Sequence, residues 1–204
     1  VMSSLHIVPP ALERLIRSFA SLPGIGTKTA TRIALNVLRR SPSDAREMAQ
    51  ALAELHNSIQ LCSNCLTFSE KDPCVICADP KRDDGLVCVV EQPSDLMAIE
   101  KTDSYRGHYH ILHGVLSPID GIGPDEIKVK ELIHRINSGT IREILIATSS
   151  TVPGEATASY LIDQIHGLPV KLTRLACGIP MGMDIKHADK YTLARAIESR
   201  IITS

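Results

Sequence analysis

Four cysteines in two closely spaced pairs carry the clearest chemical signal in the sequence. Cys62 and Cys65 form one C-x2-C pair, Cys74 and Cys77 form a second, and eight residues separate the pairs. Two residues between cysteines allow a tight turn to aim both thiolates at one point, so two such turns can complete a closed tetrahedral shell around one Zn²⁺. The pattern predicts one structural zinc ion with no coordination position left for a substrate.

The alternatives to a zinc site are four ordinary cysteines, or two disulfides in a secreted chain. The N-terminal segment VMSSLHIVPP lacks the apolar core of a signal peptide, and the longest apolar runs are too short to span a bilayer. We therefore expect a cytoplasmic protein without a membrane segment, whose thiols stay reduced. Cys88 and Cys177 lie in apolar or glycine-flanked runs and are predicted to be buried thiols.

Composition indicates an ordinary globular protein with an uneven distribution of charge. The 204 residues carry a formal net charge of −1, and this length suffices for one large domain or two small ones. Aromatic residues make up 3% of the chain, so few rings are available to stack on unpaired bases. Residues 1–40 are nevertheless basic, a balance that favours contact with phosphate. They contain Arg14, Arg17, Lys28, Arg32, Arg39 and Arg40 against the single acid Glu13.

A glycine-containing hairpin between two predicted helices is the candidate phosphate-binding element. It lies in the segment LPGIGTKTATRIALNVL, residues 22–38. Backbone N–H groups near Gly24 and Gly26, at the start of the second helix, favour an anion. Lys28 and Arg32 are four residues apart and share one face of that helix. LPGIGxKxA is the form of the helix-hairpin-helix motif, which holds a DNA backbone without reading its sequence. The alternative is a structural turn whose glycines serve packing alone.

Periodicity predicts the elements that position these residues. Thr27 is expected to cap the second helix, and a third helix carries Met48 as core filling. After the cysteines, strands alternate with helices, which indicates a mainly parallel sheet covered on both faces. Sites in such sheets lie at the carboxyl ends of strands, where Glu91 would meet the loop 148–154. The predicted strands are 86–90, 108–112, 143–147 and 170–176, and the later helices are 130–137, 154–165 and 189–200.

Three histidines in HYHILHG form a weaker metal candidate. Alternation puts His108 and His110 on one strand face, and His113 follows shortly after. Such a spacing can bind a metal, whereas the alternative is a hydrogen-bonded feature of the strand and its loop.

The order of helix hairpin, four-cysteine knuckle and α/β unit resembles the RecR family of bacterial recombination mediator proteins. The resemblance implies a multidomain α+β fold. Its parts would be a helix-hairpin-helix DNA-binding domain (1–60), a C4 zinc finger (61–78), a Toprim domain (79–176) and a C-terminal tail with a Walker-B-like region and an oligomer contact (177–204). Besides the cysteine quartet, the segments that carry it are LPGIGTKTA (22–30), CVVEQPSDLMAIE (88–100), YHILHGVLSPIDGIGP (109–124), EILIATSSTVPGEATASYL (143–161) and LTRLACGIPMGMDIKHADKYTL (172–193).

The resemblance also bears on catalysis. Active Toprim domains place a glutamate after the first strand and a D-x-D motif after a later one, and these carboxylates hold a divalent metal for phosphoryl chemistry. Here Glu91 matches the glutamate, but Ser149 and Thr151 stand in the D-x-D places. We therefore expect no enzymatic activity. Glu91, Asp95 and Glu155 are instead predicted to form a partner-binding surface, and a helix-capping role is the alternative for Glu91.

By resemblance, we expect a non-catalytic DNA-binding clamp and adaptor in recombinational repair. It would act with RecO, and sometimes RecF, to help load RecA on DNA coated by single-stranded-DNA-binding protein. Gly24, Gly26, Lys28 and Arg32 would contact DNA, and a dimer or ring-like tetramer would let several modest basic patches act together. The alternatives are a divalent-metal-dependent Toprim nuclease or primase-like enzyme using Glu91, and a zinc-stabilised module whose hairpin binds protein only.

Overall fold

The computed structural model describes residues 8–200, which divide into two compact units between Ile59 and Gln60. The first unit consists of the helices α1 (Pro10–Ala20), α2 (Thr27–Arg39) and α3 (Pro42–Ser58). Helix α1 packs against α2, and Ala30 and Ala34 of α2 are fully buried. Methyl side chains at these positions allow helix backbones to approach one another closely.

Two local predictions for this unit are wrong. Gly26, not Thr27, is the N-cap of α2, because the Gly26 backbone is still extended (φ −77°, ψ 164°) and Thr27 is the first helical residue. Met48 is not core filling: it is 40% exposed, and no residue of α3 is buried in the described structure. Three short helices offer too little interior to cover every apolar side chain, and α3 leaves its own exposed.

The second unit begins with a small antiparallel hairpin and continues as an α/β fold. The hairpin strands β1 (Gln60–Leu61) and β2 (Phe68–Ser69) carry the first cysteine pair between them. Four parallel strands then form one sheet in the order β4-β3-β5-β6, which confirms the predicted parallel sheet. The remaining elements are β3 (Asp83–Val90), α4 (Pro93–Glu100), β4 (Gly107–Ile111), α5 (Val129–Asn137), β5 (Glu143–Ile146), α6 (Val152–Ile165), β6 (Lys171–Arg174) and α7 (Lys190–Glu198), with short 3-10 turns at Pro118–Asp120 and Ile185–His187.

The sheet has a hydrophobic core on each face. On one face, Val87 and Val89 of β3 pack with Leu132 of α5 and Leu161 of α6. On the other face, Cys88 and Val90 of β3 pack with Leu96, Tyr109, Ile111 and three cysteines of the quartet. The second half of β3, residues 87–90, is buried on both faces because its side chains alternate between these two cores, which explains why this part of the strand is continuously apolar. Among residues 8–200, no helix has the length and apolar character required to cross a bilayer.

The histidines of HYHILHG are hydrogen-bonded parts of the fold. Nε2 of His108 contacts Asp84 Oδ1 at 2.9 Å, Nε2 of His110 contacts the Lys128 carbonyl at 2.6 Å, and Nε2 of His113 contacts the Leu66 carbonyl at 2.7 Å. The cysteine quartet is the one group of potential metal ligands found in the described part of the chain. The three histidines therefore do not form a metal site there.

The burial of His110 predicts acid sensitivity. Burial lowers the pKa of His110 to about 4, against about 6.5 for an unfolded chain. Between these pH values the unfolded state binds a proton that the folded state does not, so stability falls as the pH drops. We expect His110→Gln, which keeps an N–H for the Lys128 carbonyl, to reduce the loss in unfolding free energy between pH 7 and pH 5 by about 2 kcal/mol. Urea unfolding at both pH values tests this, and equal losses in the two proteins would contradict it.

Candidate metal centre and nucleic-acid interface

The four cysteines of the quartet converge on one point. Their sulfur atoms all lie within 4.8 Å of one another, and Cys65 Sγ is 3.6 Å from Cys74 Sγ. Four sulfurs at the usual Zn–S distance of about 2.3 Å would be about 3.8 Å apart in a tetrahedron. Backbone N–H groups of the second pair donate to the cluster: Cys74 N lies 3.3 Å from Cys62 Sγ, and Cys77 N lies 3.4 Å from Cys74 Sγ. The geometry therefore matches a closed four-sulfur zinc shell.

The thiols of Cys65, Cys74 and Cys77 lie close enough to shift one another's pKa. A hydrogen bond from Cys77 lowers the pKa of Cys65 to about 5, whereas burial raises the pKa of Cys74 to about 11. The pKa of Cys77 is raised as well, first by its hydrogen bond to Cys65. A thiolate at one position thus raises the pKa of the neighbouring thiols, because the negative charges repel one another. A multivalent cation bound among the sulfurs compensates this repulsion and keeps all four as thiolates. With no open position, such an ion has a structural role.

The cysteine knuckle, which we define as residues 60–79, is joined to the sheet by three sets of polar contacts. The Ile111 N–H of edge strand β4 donates to the Cys65 carbonyl at 3.0 Å. Arg135 Nη1 donates to the carbonyls of Asn64 and Tyr109 at 3.1 and 2.6 Å. The His113 ring contacts the Leu66 carbonyl. Together with the shared core around Cys88, these contacts make the knuckle a part of the α/β unit.

The glycine hairpin of the first unit is exposed. Gly24 has a left-handed φ of 77°, which glycine adopts without strain. A Cβ added at Gly24 or at Gly26 would meet no atom within 4 Å, so the backbone here is open to close approach by a ligand. The hairpin therefore does not use these glycines for interior packing, and its N–H groups at the start of α2 are placed to receive an anion.

Lys28 and Arg32 lie on α2 directly after this hairpin, and both are exposed. Neither makes an ion pair with any residue in the range 8–200, in contrast to Arg17, whose guanidinium lies 3.7 Å from Glu13. Their positive charges are thus available to a phosphate backbone. That they contact DNA stays a prediction from their geometry.

Glu91 lies at the carboxyl end of β3, next to the loop that replaces D-x-D. Its Oε1 accepts a hydrogen bond from the Ser149 N–H at 2.7 Å, and the hydroxyls of Ser149 and Thr151 are 2.7 Å apart. Thr151 also caps α6 through the Gly154 N–H. The capping alternative for Glu91 is wrong, since α4 is capped by Gln92. Glu91 instead holds the 149–151 loop in place, and a single carboxylate with two hydroxyls offers a hard dication too few anionic oxygens.

The other two carboxylates of the predicted partner surface are engaged elsewhere. Asp95 accepts a hydrogen bond from the Gln92 N–H at 2.8 Å in the capping box of α4. Glu155 binds Arg174 through two contacts of 2.9 Å and lies 3.7 Å from Arg195. The Arg174 guanidinium holds the pKa of Glu155 below its usual value. The three acids therefore do not form a common metal cage.

Gly154 is required for the close fit between Glu91 and the start of α6. A Cβ at this position would collide with the backbone carbonyl and the hydroxyl of Ser149 and lie 2.8 Å from Glu91 Oε1. We expect Gly154→Ala to destabilise the protein by about 1–3 kcal/mol, measured by urea unfolding. Gly178→Ala is the matched control, because its Cβ would meet nothing within 4 Å. Equal stabilities of the two variants would contradict the steric argument.

Three arginines with structural contacts were not predicted from the sequence, and one cysteine predicted to be buried is exposed. No local sequence pattern predicts the contacts of these arginines, because their partners lie 19 to 71 positions away along the chain. The arginines are Arg135, Arg174 and Arg195. Cys88 is buried as predicted, but Cys177 is exposed. It follows β6 on a segment without regular secondary structure, where its sulfur lies 3.7 Å from the Ser150 hydroxyl.

Comparison with known protein families accounts for most of the chain. Residues 12–56 match the helix-hairpin-helix model of RecR, and residues 59–79 match the model of its zinc finger domain with four cysteine ligands. Residues 85–176 match the Toprim domain, and residues 178–201 match the C-terminal model of RecR. The zinc finger match and the sulfur geometry together confirm one structural zinc ion in the quartet.

Whole-length relatives agree with the domain matches. The chain is 50% identical over 193 residues to the "Recombination protein RecR" of Anaeromyxobacter sp. (strain Fw109-5), covering 95% of this chain and 98% of that protein. It is 48% identical to the protein of the same name from Syntrophobacter fumaroxidans and 49% identical to that from Syntrophotalea carbinolica, each covering 94% of this chain and 96% of the relative. With the helix hairpin, the cysteine knuckle and the parallel α/β unit in the same order, the chain belongs to the RecR family.

Proposed function

We propose that this protein is a non-catalytic DNA-binding clamp and adaptor in recombinational DNA repair. Its relatives carry the name of recombination proteins. The observation that carries the proposal is the exposed hairpin of Gly24 and Gly26 followed by the cations Lys28 and Arg32, which have no ion-pair partner among residues 8–200. Backbone amides and two cations on one helix face can hold phosphates without contacting base edges, which suits a protein that must act on any sequence.

Assembly into a dimer or ring-like tetramer is part of the proposal. Two cations per chain give a weak contact, and linking several copies raises the effective concentration of each patch at the DNA. The whole chain has a net charge of −1, so its attraction to DNA would come from local basic patches, several of which act together in an oligomer. Mass measurement in solution, with and without gapped DNA, would give the oligomer number.

We further propose that the protein works in the cytoplasm with RecO and RecF, and through them assists RecA. Glu91, Asp95 and Glu155 would shape the surface on which a protein partner docks. Each of these carboxylates is already hydrogen-bonded or ion-paired, which supports a role in maintaining surface shape over a role in metal binding.

A loading assay tests the adaptor function. RecA would be added to gapped DNA coated with single-stranded-DNA-binding protein, with RecO present, and RecA filament formation would be followed with and without this protein. We expect rapid filament formation only when both RecO and this protein are present. Equal rates without this protein would exclude the adaptor role.

The rival proposal, a divalent-metal-dependent Toprim enzyme, makes a different prediction. Because the D-x-D positions are Ser149 and Thr151, we expect purified protein with Mg²⁺ or Mn²⁺ to leave supercoiled plasmid intact. The double variant Ser149→Asp with Thr151→Asp carries the D-x-D acids, and we expect it to bind Mg²⁺ or Mn²⁺ more tightly than the natural protein does. Nicking by the natural protein that is abolished in Glu91→Ala would support the enzyme instead.

A further inference from the structure

A pocket of about 500 Å³ lies between the cysteine knuckle and helix α5. Its lining includes Ser63 and Asn64 of the knuckle, His110 of β4, Lys130 and Arg135 of α5, and Ser138, which directly follows α5. This volume lies within the range of about 300–1,000 Å³ that is typical of small-ligand sites. None of these residues belongs to the glycine hairpin or to the Glu91 loop, so the pocket is separate from both sites described above.

Arg135 provides a fixed cation in this pocket. Its Nη1 donates to two backbone carbonyls, those of Tyr109 and Asn64. Its Nε and Nη2 have no hydrogen-bond partner, and no carboxylate lies within ion-pair distance of it, within residues 8–200. Two contacts to rigid backbone orient the guanidinium in advance, and its remaining N–H groups are free to bind an oxyanion in the two-pronged manner that guanidinium favours.

The neighbouring charges leave the Arg135 charge uncompensated. Lys130 is paired with Asp125 at 2.6 Å, and Glu131, which also lines the pocket, is paired with Lys128 at 3.0 Å. Each pair is neutral overall, so the carboxylate of Glu131 does not cancel the positive charge of Arg135. The pocket therefore retains a net positive charge that favours an anion.

His110 gives a second, independent indication of a ligand. Its Nε2 lies 2.6 Å from the Lys128 carbonyl, and a carbonyl only accepts, so Nε2 carries the proton. Burial lowers the pKa of this ring, which keeps it neutral. Nδ1 is then an acceptor, and it is buried without a hydrogen-bond partner in a side chain that is 1% exposed. An unsatisfied buried acceptor is costly. Because His110 lines the pocket, a ligand in the pocket that brings an O–H within reach of Nδ1 would relieve this cost.

We propose that this pocket binds a phosphomonoester, either a free nucleotide or the 5′-phosphate end of a nucleic acid strand. A phosphomonoester has a second pKa near about 6, so at neutral pH it presents oxyanions for Arg135 and, in its monoprotonated form, an O–H for His110. A carboxylate at this pH offers acceptors only. The hydroxyl of Ser63 and the amide of Asn64 supply the neutral polar contacts that phosphates commonly receive, whereas the Ser138 hydroxyl already donates to the Arg135 carbonyl at 2.7 Å.

Titration calorimetry on the zinc-loaded protein tests the proposal, with 5′-dAMP and inorganic phosphate as probes and acetate as the carboxylate comparison. We expect 5′-dAMP to bind, acetate not to bind, and Arg135→Gln to weaken binding by about tenfold or more. Because Arg135 also joins the knuckle to β4, zinc content and thermal unfolding of the variant are measured alongside. Lys130→Glu, at an exposed position on the pocket rim, should weaken binding without touching these contacts, and Lys171→Gln on β6 is the neutral control.

Oligonucleotides identify the source of the phosphate. If a strand with a 5′-phosphate binds better than the same strand with a 5′-hydroxyl, and Arg135→Gln removes the difference, the ligand is a strand end. If the two strands bind equally and 5′-dAMP also binds, the ligand is a free nucleotide. Lys28→Ala with Arg32→Ala should leave 5′-dAMP binding unchanged, which separates this site from the proposed DNA clamp. The proposal is overturned if neither 5′-dAMP nor phosphate binds the natural protein, if acetate binds as well as phosphate, or if both Arg135→Gln and Lys130→Glu bind 5′-dAMP normally.

Discussion

Cys74→Ser is expected to release the zinc ion and to unfold the cysteine knuckle together with the adjoining edge of the sheet. Zinc contributes about 10–16 kcal/mol to the folding of small zinc-finger peptides, whereas a whole domain is stable by about 5–15 kcal/mol. The segment between the cysteine pairs is polar and cannot build a core of its own. Loss of the ion therefore removes a contribution as large as the total stability of a typical domain.

The damage should spread beyond the knuckle because the sulfurs belong to a core of the α/β unit. Cys62, Cys65 and Cys74 pack with Val90 and Ile111, and the Ile111 N–H donates to the Cys65 carbonyl. Without the ion, four thiols lose their common partner and this edge of the sheet loses its cover. Hydrogen exchange should therefore show lost protection at the Ile111 amide as well as in the knuckle.

Elemental analysis and thermal unfolding measure the effect. The natural protein should contain one zinc per chain, and Cys74→Ser much less, with a strongly lowered or absent unfolding transition. Cys177→Ser is the matched control, since this exposed cysteine lies outside the quartet and should leave zinc content and stability unchanged. A Cys74→Ser protein that keeps its zinc and its melting temperature would refute the structural role of the ion.

Features specified by short-range spacing are predictable from the sequence. The quartet is local in sequence, and two-residue spacing within each pair determines which way the sulfurs point. The strands of the parallel sheet are predictable because β3 and β5 are short apolar runs between helical patterns, as expected of strands covered on both faces. The glycine hairpin is predictable because its turn needs a backbone φ of 77° at position 24. Glycine adopts such an angle more readily than other residues, so Gly24 marks the turn in the sequence.

Features that depend on the packing of distant segments are not predictable in this way. Arg135 finds its partners 26 and 71 positions away, and nothing in the sequence around Arg135 specifies Asn64. Sequence position groups Glu155 with Glu91, yet in the fold Arg174 binds Glu155. The predicted N-cap of α2 is wrong by one residue because Thr27 is a good capping residue by type, while the extended backbone of Gly26 decides where the helix begins.

Replacing Lys28 and Arg32 together by alanine is expected to weaken DNA binding by about tenfold to a hundredfold at moderate salt. The two exposed side chains follow the hairpin, and neither has an ion-pair partner in the described range, so their removal leaves no buried charge and should not alter the fold. Each phosphate contact contributes about 0.9 to the slope of log affinity against log salt concentration. The double variant should therefore bind less tightly and with a shallower slope, by about two for each chain that contacts the DNA.

The slope separates a direct phosphate contact from a general loss of charge. Lys81→Ala with Lys101→Ala removes the same charge from two exposed positions of the other unit, and this control should keep both affinity and slope close to those of the natural protein. Fluorescence anisotropy at several salt concentrations on duplex, gapped and single-stranded DNA provides the measurement. If the two double variants lose affinity equally, the hairpin has no special part in binding. If Lys28→Ala with Arg32→Ala changes neither quantity, the hairpin is a structural turn and the DNA path lies elsewhere on the protein.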